Sequence, residues 1–252
     1  MEARLNFEII SSGSRGNSAL IWDNHDLIMI DCGITMRKFL ERAPVRVMPD
    51  LSRSLLISHE HWDHSSGLTT FTGKGRFDIY SRDGTLSALG TEGYRMGDEL
   101  AIGNFLIKAI PVPHDASDPV GFVIRWKHRK ITVVSDLGNV PDQLLTEAKN
   151  SDILAFESNH DVEMLKLGPY PEHLKRRILS GVGHLSNDQA AAAISKVVAP
   201  FTRIVLTHLS QENNTPDLAM GTVTSYLNNR SIGYSSVECA SQTHGSQRYV
   251  MA

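Results

Sequence analysis

Four candidate metal ligands fall within six residues of this chain: His59, His61, Asp63 and His64. They follow Ser54-Leu55-Leu56-Ile57-Ser58, which reads as a buried strand. Whatever the chain folds into must therefore carry this segment at the end of a strand. In an extended loop alternate side chains point the same way, so His59 and His61 can grip one ion. If a helix starts near Asp63, then Asp63 and His64 turn towards a neighbouring position, and one short segment serves two metals. A histidine-rich surface loop is the bland alternative. It would account for one histidine, but poorly for four ligands at this spacing.

Three further candidates also follow strand-like runs. His114 lies in Pro111-Val112-Pro113-His114-Asp115, Asp136 follows Ile131-Thr132-Val133-Val134-Ser135, and His208 follows Ile204-Val205-Leu206-Thr207. Each alone is more often structural than functional. Their shared place at strand ends, where sites collect, favours a common centre. Imidazole and carboxylate donors suit zinc or manganese, with iron also compatible.

Composition narrows the classes. The two cysteines, Cys32 and Cys239, are too few for a disulfide framework or a thiolate-rich zinc site, which points to a reducing compartment. The net charge of -3 gives no overall basic field to attract nucleic acid, so phosphate binding must rest on local clusters. Residues 1–6 show no apolar leader, and no run approaches the ~18 apolar residues of a membrane span. A soluble, cytoplasmic protein without membrane contact is expected.

Strands are expected at 5–10, 19–22, 27–31, 105–112, 120–126, 130–135, 152–156 and 203–207, the sixth entered through a turn at Lys127-His128-Arg129. Helices are expected at 35–42, from Pro141 to about 149, and at 171–179. Ser186 with Gln189 forms a capping box before the helical run Ala190 to Val198, and Thr215-Pro216 opens a helix to about 228. No linker or repeat interrupts residues 1–252, so a single α/β domain is expected.

The order His59-x-His61-x-Asp63-His64, His114, Asp136, His208 resembles that of the metallo-β-lactamase superfamily. Ile30-Asp31-Cys32-Gly33 resembles its early turn, where the Asp is structural. Closer still is the YycJ (WalJ) branch. The matching segments are Ser11 to Ser18, Phe156-Glu157-Ser158-Asn159-His160-Asp161, Leu174 to Leu179, Gly183-His184-Leu185-Ser186-Asn187 and His208-Leu209-Ser210-Gln211-Glu212-Asn213-Asn214. That resemblance implies an αβ/βα four-layer sandwich of the metallo-β-lactamase type. Members of the branch are similar to ribonuclease Z and are described as phosphodiesterases and DNA exonucleases.

The resemblance implies two divalent ions per chain. His59, His61 and His114 hold one, and Asp63, His64 and His208 hold the other, with Asp136 bridging. The pair generates a bridging hydroxide that attacks a phosphodiester, with Asp63 orienting or deprotonating it. His184 matches the histidine that assists leaving-group departure. His160, in the branch signature, is a further ligand or a phosphate contact, and Asn17, Ser210 and Asn213 are implied substrate contacts. Arg176 and Arg177 either touch a nucleic-acid backbone or form a solvated helix face. The Gly-rich opening either offers amides to a phosphate or is an ordinary tight turn. Hydrolysis of a thioester, lactone or β-lactam is the alternative, because the core ligands do not discriminate. Only 47 residues separate Asp136 from His184, too few for the inserted domain of ribonuclease J-like enzymes.

Overall fold

The computed structural model describes residues 4–44 and 49–252, so the first three residues of the start read as leader-free lie outside the described residues. Along the chain run β1 (Leu5–Ser11), β2 (Ser18–Trp22), β3 (Asp26–Ile30), α1 (Met36–Arg42), β4 (Ser52–Leu56) and α2 (Trp62–Ser65). Then come α3 (Leu68–Gly73), β5 (Asp78–Ser81), α4 (Asp83–Leu89), β6 (Tyr94–Arg95), β7 (Glu99–Ile102), β8 (Phe105–Pro111), β9 (Val120–Trp126) and β10 (Arg129–Val134). The remainder is α5 (Asp142–Ala148), β11 (Ile153–Glu157), α6 (Val162–Leu167), α7 (Glu172–Ile178), α8 (Asn187–Ile194), β12 (Arg203–Thr207), α9 (Pro216–Asn228), β13 (Ser236–Cys239) and β14 (Tyr249–Met251). The class is α/β, with two mixed sheets and flanking helices. Among the described residues no helix is long and apolar enough to cross a membrane.

The chain forms two compact units. The first comprises Met1–Ala109, Ala116–Val120 and Ser241–Ala252. Its sheet runs β14-β1-β2-β3-β4-β5-β6, antiparallel as far as β3 and parallel from there to β6. β2 and β3 are buried throughout, which is why they read as unbroken apolar runs rather than alternating ones. Phe39, Phe71 and Phe77 meet edge to face, with centroids 5.3, 5.6 and 5.7 Å apart, and anchor α1 and α3 in this core.

The second unit comprises Ile110–Asp115 and Gly121–Ala240, with the strand order β13-β12-β11-β10-β9. The β9–β10 pair is antiparallel, closed by a turn with Lys127 at φ 51, and the pairs from β10 to β13 are parallel. Its core combines Val134, Leu154, Phe156, Ile204 and Leu206 from the strands with Leu144, Ala190, Ile194, Val223 and Leu227 from the helices. Burying each large aliphatic side chain contributes about 1.5–3 kcal/mol. The capping box at Ser186 and Gln189 is present, and Pro216 starts α9 behind the cap Thr215.

Several element bounds differ from expectation. β4 ends at Leu56, so Ile57 and Ser58 lead out of the strand before His59. Pro141 and Pro171 cap α5 and α7 from outside instead of opening them. α8 stops at Ile194 and gives way to a tighter turn, with Val197 N bonded to Ile194 O. Strands of two to four residues, such as β6 and β14, carried no readable period.

Candidate metal centre

In the first unit, His61 caps α2, which turns Asp63 and His64 into its first turn. Asp31, just beyond β3, organises the segment. Its carboxylate accepts from Ser58 N (2.8 Å), Ser58 Oγ (2.9 Å) and His64 Nδ1 (2.8 Å). Ser58 Oγ lies 3.0 Å from His59 Nδ1. Both histidines are buried and tied at Nδ1, which orients Nε2 as the ligating atom. The rings of His59 and His61 sit 4.7 Å apart, and those of His59 and His64 4.1 Å apart.

Asn17, expected to touch substrate, is buried against this segment. Its Nδ2 lies 3.0 Å from Asp63 Oδ2 and from His64 Nε2, and its Oδ1 accepts from Gly13 N. The Gly-rich opening is a packed turn. The amides of Ser12, Gly13, Arg15, Gly16 and Asn17 are each bonded within the unit, so they do not form a phosphate-presenting loop. Gly16 is required there, because a Cβ on it would lie 1.7 Å from Gly33 O.

In the second unit, Asp136 follows β10, Glu157 ends β11 and His208 follows β12, at adjacent ends of parallel strands. Asp136 Oδ1 lies 3.5 Å from His208 Nε2, 3.6 Å from His184 Nδ1 and 4.0 Å from His114 Nε2. The His184 and His208 rings stack at 5.2 Å. Ligand atoms of Asp136, Glu157, His184 and His208 all lie within 4.8 Å of one another.

Glu157 was not singled out from the sequence. It is fully buried, its Oε1 is 2.7 Å from His184 Nδ1, and its Oε2 accepts from Leu137 N and Leu185 N. Burial opposes its ionisation, but the charge of His184 and the hydrogen bonds from His184 and His208 hold it below the usual carboxylate range. With Glu157 ionised, His184 Nδ1 must be the donor. Burial pulls His184 down, but Glu157 and Asp136 outweigh it and leave its pKa above the ordinary value. Burial pulls His114 below its ordinary value. The available signal for Glu157 was its place at the end of an apolar strand lying, in sequence order, between those that lead to Asp136 and His208.

The other expected positions are not among these ligand atoms, although the charges of Glu157 and His184 act on His160 and that of Asp136 on Arg177. His160 is buried, neither ring nitrogen has a hydrogen-bond partner among the described residues, and burial pushes its pKa down to about 4. Ser210 Oγ accepts from the amides of Glu212 and Asn213, and Asn213 is buried behind it. The polar hub of this loop is Asn214, which binds Ser158 O, Asn159 O and Asn187. Arg176 and Arg177 are exposed on α7, and Arg177 Nε donates to Asp115 Oδ2 at 2.6 Å.

The model for the β-lactamase superfamily domain matches residues 27–209, a span that contains every expected ligand from His59 to His208. The chain is 33% identical over 243 residues to the exodeoxyribonuclease YycJ of Bacillus anthracis, covering 91% of each chain. It belongs to the metallo-β-lactamase superfamily and to its YycJ/WalJ family. The exodeoxyribonuclease WalJ of Streptococcus pneumoniae is 32% identical over 246 residues, with 92% of this chain and 91% of that one covered. Among solved structures, the metallo-β-lactamase fold protein YhfI from Bacillus subtilis superposes with a TM-score of 0.75 at 16% identity, covering 99% of this chain and 100% of that one. This metallo-β-lactamase fold carries histidine and aspartate groups able to bind metal. The donor chemistry, imidazole nitrogens and carboxylate oxygens without thiolate, fits zinc, manganese or iron.

Proposed function

We propose that this chain is a two-metal phosphodiesterase that degrades DNA as an exonuclease. The observation that carries this reading is the Glu157–His184 pair beside Asp136 and His208, an imidazole held as a proton donor at a group able to bind metal. The names of the two relatives support DNA as the substrate. His59, His61 and His114 would hold one divalent ion, and Asp63, His64 and His208 the second, with Asp136 shared. Zinc or manganese is the expected metal. The two units would then work as one catalytic domain. Bound ions supply Lewis acidity at a phosphoryl oxygen and lower the pKa of a coordinated water towards ~7.

Asp63 orients the attacking water. His184 gives a proton from Nε2 to the departing oxygen while Nδ1 stays on Glu157. His160, neutral at physiological pH by its lowered pKa, and Asn17, Ser210 and Asn213 would serve the substrate as uncharged groups buried behind its site, Asn17 through Asp63 and His64. A cytoplasmic location fits the two free cysteines, whose thiols burial pushes up, to about 12 for Cys239.

Digestion of end-labelled single- and double-stranded DNA, with nitrocefin run in parallel, tests the reading. Terminal nucleotide release supports it. Nitrocefin turnover without DNA cleavage reverses it in favour of the lactam class. Elemental analysis after dialysis should return two metal equivalents per chain, and a ceiling of one under every loading condition would remove the two-metal mechanism.

Arg176 has no ion-pair partner on α7, whereas Arg177 is held by Asp115 beside His114. Arg176→Ala should raise KM for single-stranded DNA and reduce the slope of log KM against log salt by about 0.7, the loss of one phosphate contact. An unchanged slope would mean that Arg176 belongs to a solvated face.

A further inference from the structure

Trp62 stands inside the ligand-bearing segment, between His61 and Asp63, yet it serves no metal and no core. It is 71% exposed, whereas Trp22 and Trp126 are 3% and 1% exposed. A lone exposed apolar residue is ordinary. Trp62 is distinguished by what surrounds it. It lines a groove of about 510 Å³ in the first unit, within the ~300–1,000 Å³ typical of small-ligand clefts. Arg15 and Lys38 line the same groove, with Thr35, Met36 and Thr70, and among the described residues no carboxylate does.

The groove is built on fixed backbone. Asn17 N bonds to Asp63 O at 2.8 Å and Cys32 N to His64 O at 2.7 Å, which pins the turn that carries Trp62. Gln242 accepts from Arg15 N through Oε1 and donates through Nε2 to Ser11 Oγ and Gly16 O. Lys38 Nζ donates to Ser11 Oγ at 3.0 Å and to Gln242 O. A flat aromatic wall, two cations and the absence of anions together suit one nucleotide of a single strand. The base has a π-face for Trp62, and the phosphate has charge for Arg15 and Lys38.

We infer that this groove is a nucleotide subsite in which a base of the single-stranded substrate stacks on Trp62 and its phosphate is met by Arg15 and Lys38. The inference rests on the nuclease reading above. Stacking on an aromatic face is tolerant of sequence, so the subsite would grip any base and register the strand next to the reacting phosphodiester.

The test uses the intact chain and a single-stranded oligonucleotide whose phosphorothioate linkages resist hydrolysis. Trp62 is the exposed tryptophan, so acrylamide quenching of fluorescence reports on it. Binding should shield it. Trp62→Ala should weaken binding by about 10- to 100-fold, and Trp62→Phe should recover most of that. An oligonucleotide made abasic at successive positions should erase the difference between wild type and Trp62→Ala at one register. Equal affinity of wild type and Trp62→Ala, or unchanged acrylamide access, overturns the inference. Because the readout is binding, it separates from the function itself. A metal-loaded chain that binds through Trp62 but cleaves no DNA overturns the nuclease reading alone. One that cleaves DNA without dependence on Trp62 overturns the subsite alone.

Discussion

His184→Ala is expected to lower kcat on DNA by about 10²–10⁴ while two metals stay bound. The reason lies in how His184 is held. Its Nδ1 donates to Glu157 at 2.7 Å, so one ring nitrogen is committed to a buried carboxylate and the other is left to serve the reaction. A nucleotide leaves as an alkoxide and needs that proton. p-Nitrophenolate leaves with little need of one, so with bis(p-nitrophenyl) phosphate the loss should shrink. The contrast between leaving groups is the decisive measurement. Equal losses would make His184 an electrostatic clamp on the phosphate. Loss of a metal would make it a ligand, a role its spacing in the group with Asp136 and His208 would also allow. The variant also removes a partner from fully buried Glu157, whose two backbone donors remain, so some loss of melting temperature is expected as well.

Asp136→Ala should cause the other large effect, a fall in metal affinity of at least ~100-fold with activity lost in proportion. One oxygen of Asp136 lies within 4.0 Å of nitrogens from three histidines, and it is the one carboxylate proposed to be shared by both ions. Without it, two neighbouring cations would repel with one less negative group to screen them. The fold should persist, because β10 is held by its pairing with β9 and β11 and not by this side chain. Elemental analysis and circular dichroism on the same sample check both halves. A variant that keeps two metals and full activity would remove Asp136 from the centre.

How far the sequence could be read depends on how local each feature is. His59 to His64 could be read because ligand chemistry and strand end adjoin within a few residues. The helix opened by Pro216 and the capping box at Ser186 were equally local. Glu157 could not be read in this way. Its partner His184 lies 27 positions away, and a single acid at the end of an apolar run has no sequence neighbour to mark it. The same holds for Asn17, whose contact with Asp63 spans 46 positions, and for Asn214, which looks like its neighbour Asn213 until its bonds to residues 158, 159 and 187 are traced. The whole stretch from α3 to β7 passed without assignment because its strands are two to four residues long.

Asp31, Asp136 and His208 share a backbone oddity. Each adopts the left-handed conformation, with φ of 58, 57 and 54, and each stands just past the end of a strand. Only glycine takes that conformation at no steric penalty, and glycine has neither a carboxylate nor an imidazole. Each of these positions therefore costs the fold of order 1–3 kcal/mol, less for aspartate than for histidine. At Asp31 that penalty is offset, because its carboxylate holds Ser58 and His64 and glycine would leave those buried donors unpaired. The duty of Asp136 lies instead with the histidines around it, so greater thermal robustness is blocked there unless function is given up. A lineage that had lost the chemistry would be recognisable by glycine at position 136 while Asp31 and the strands stayed intact.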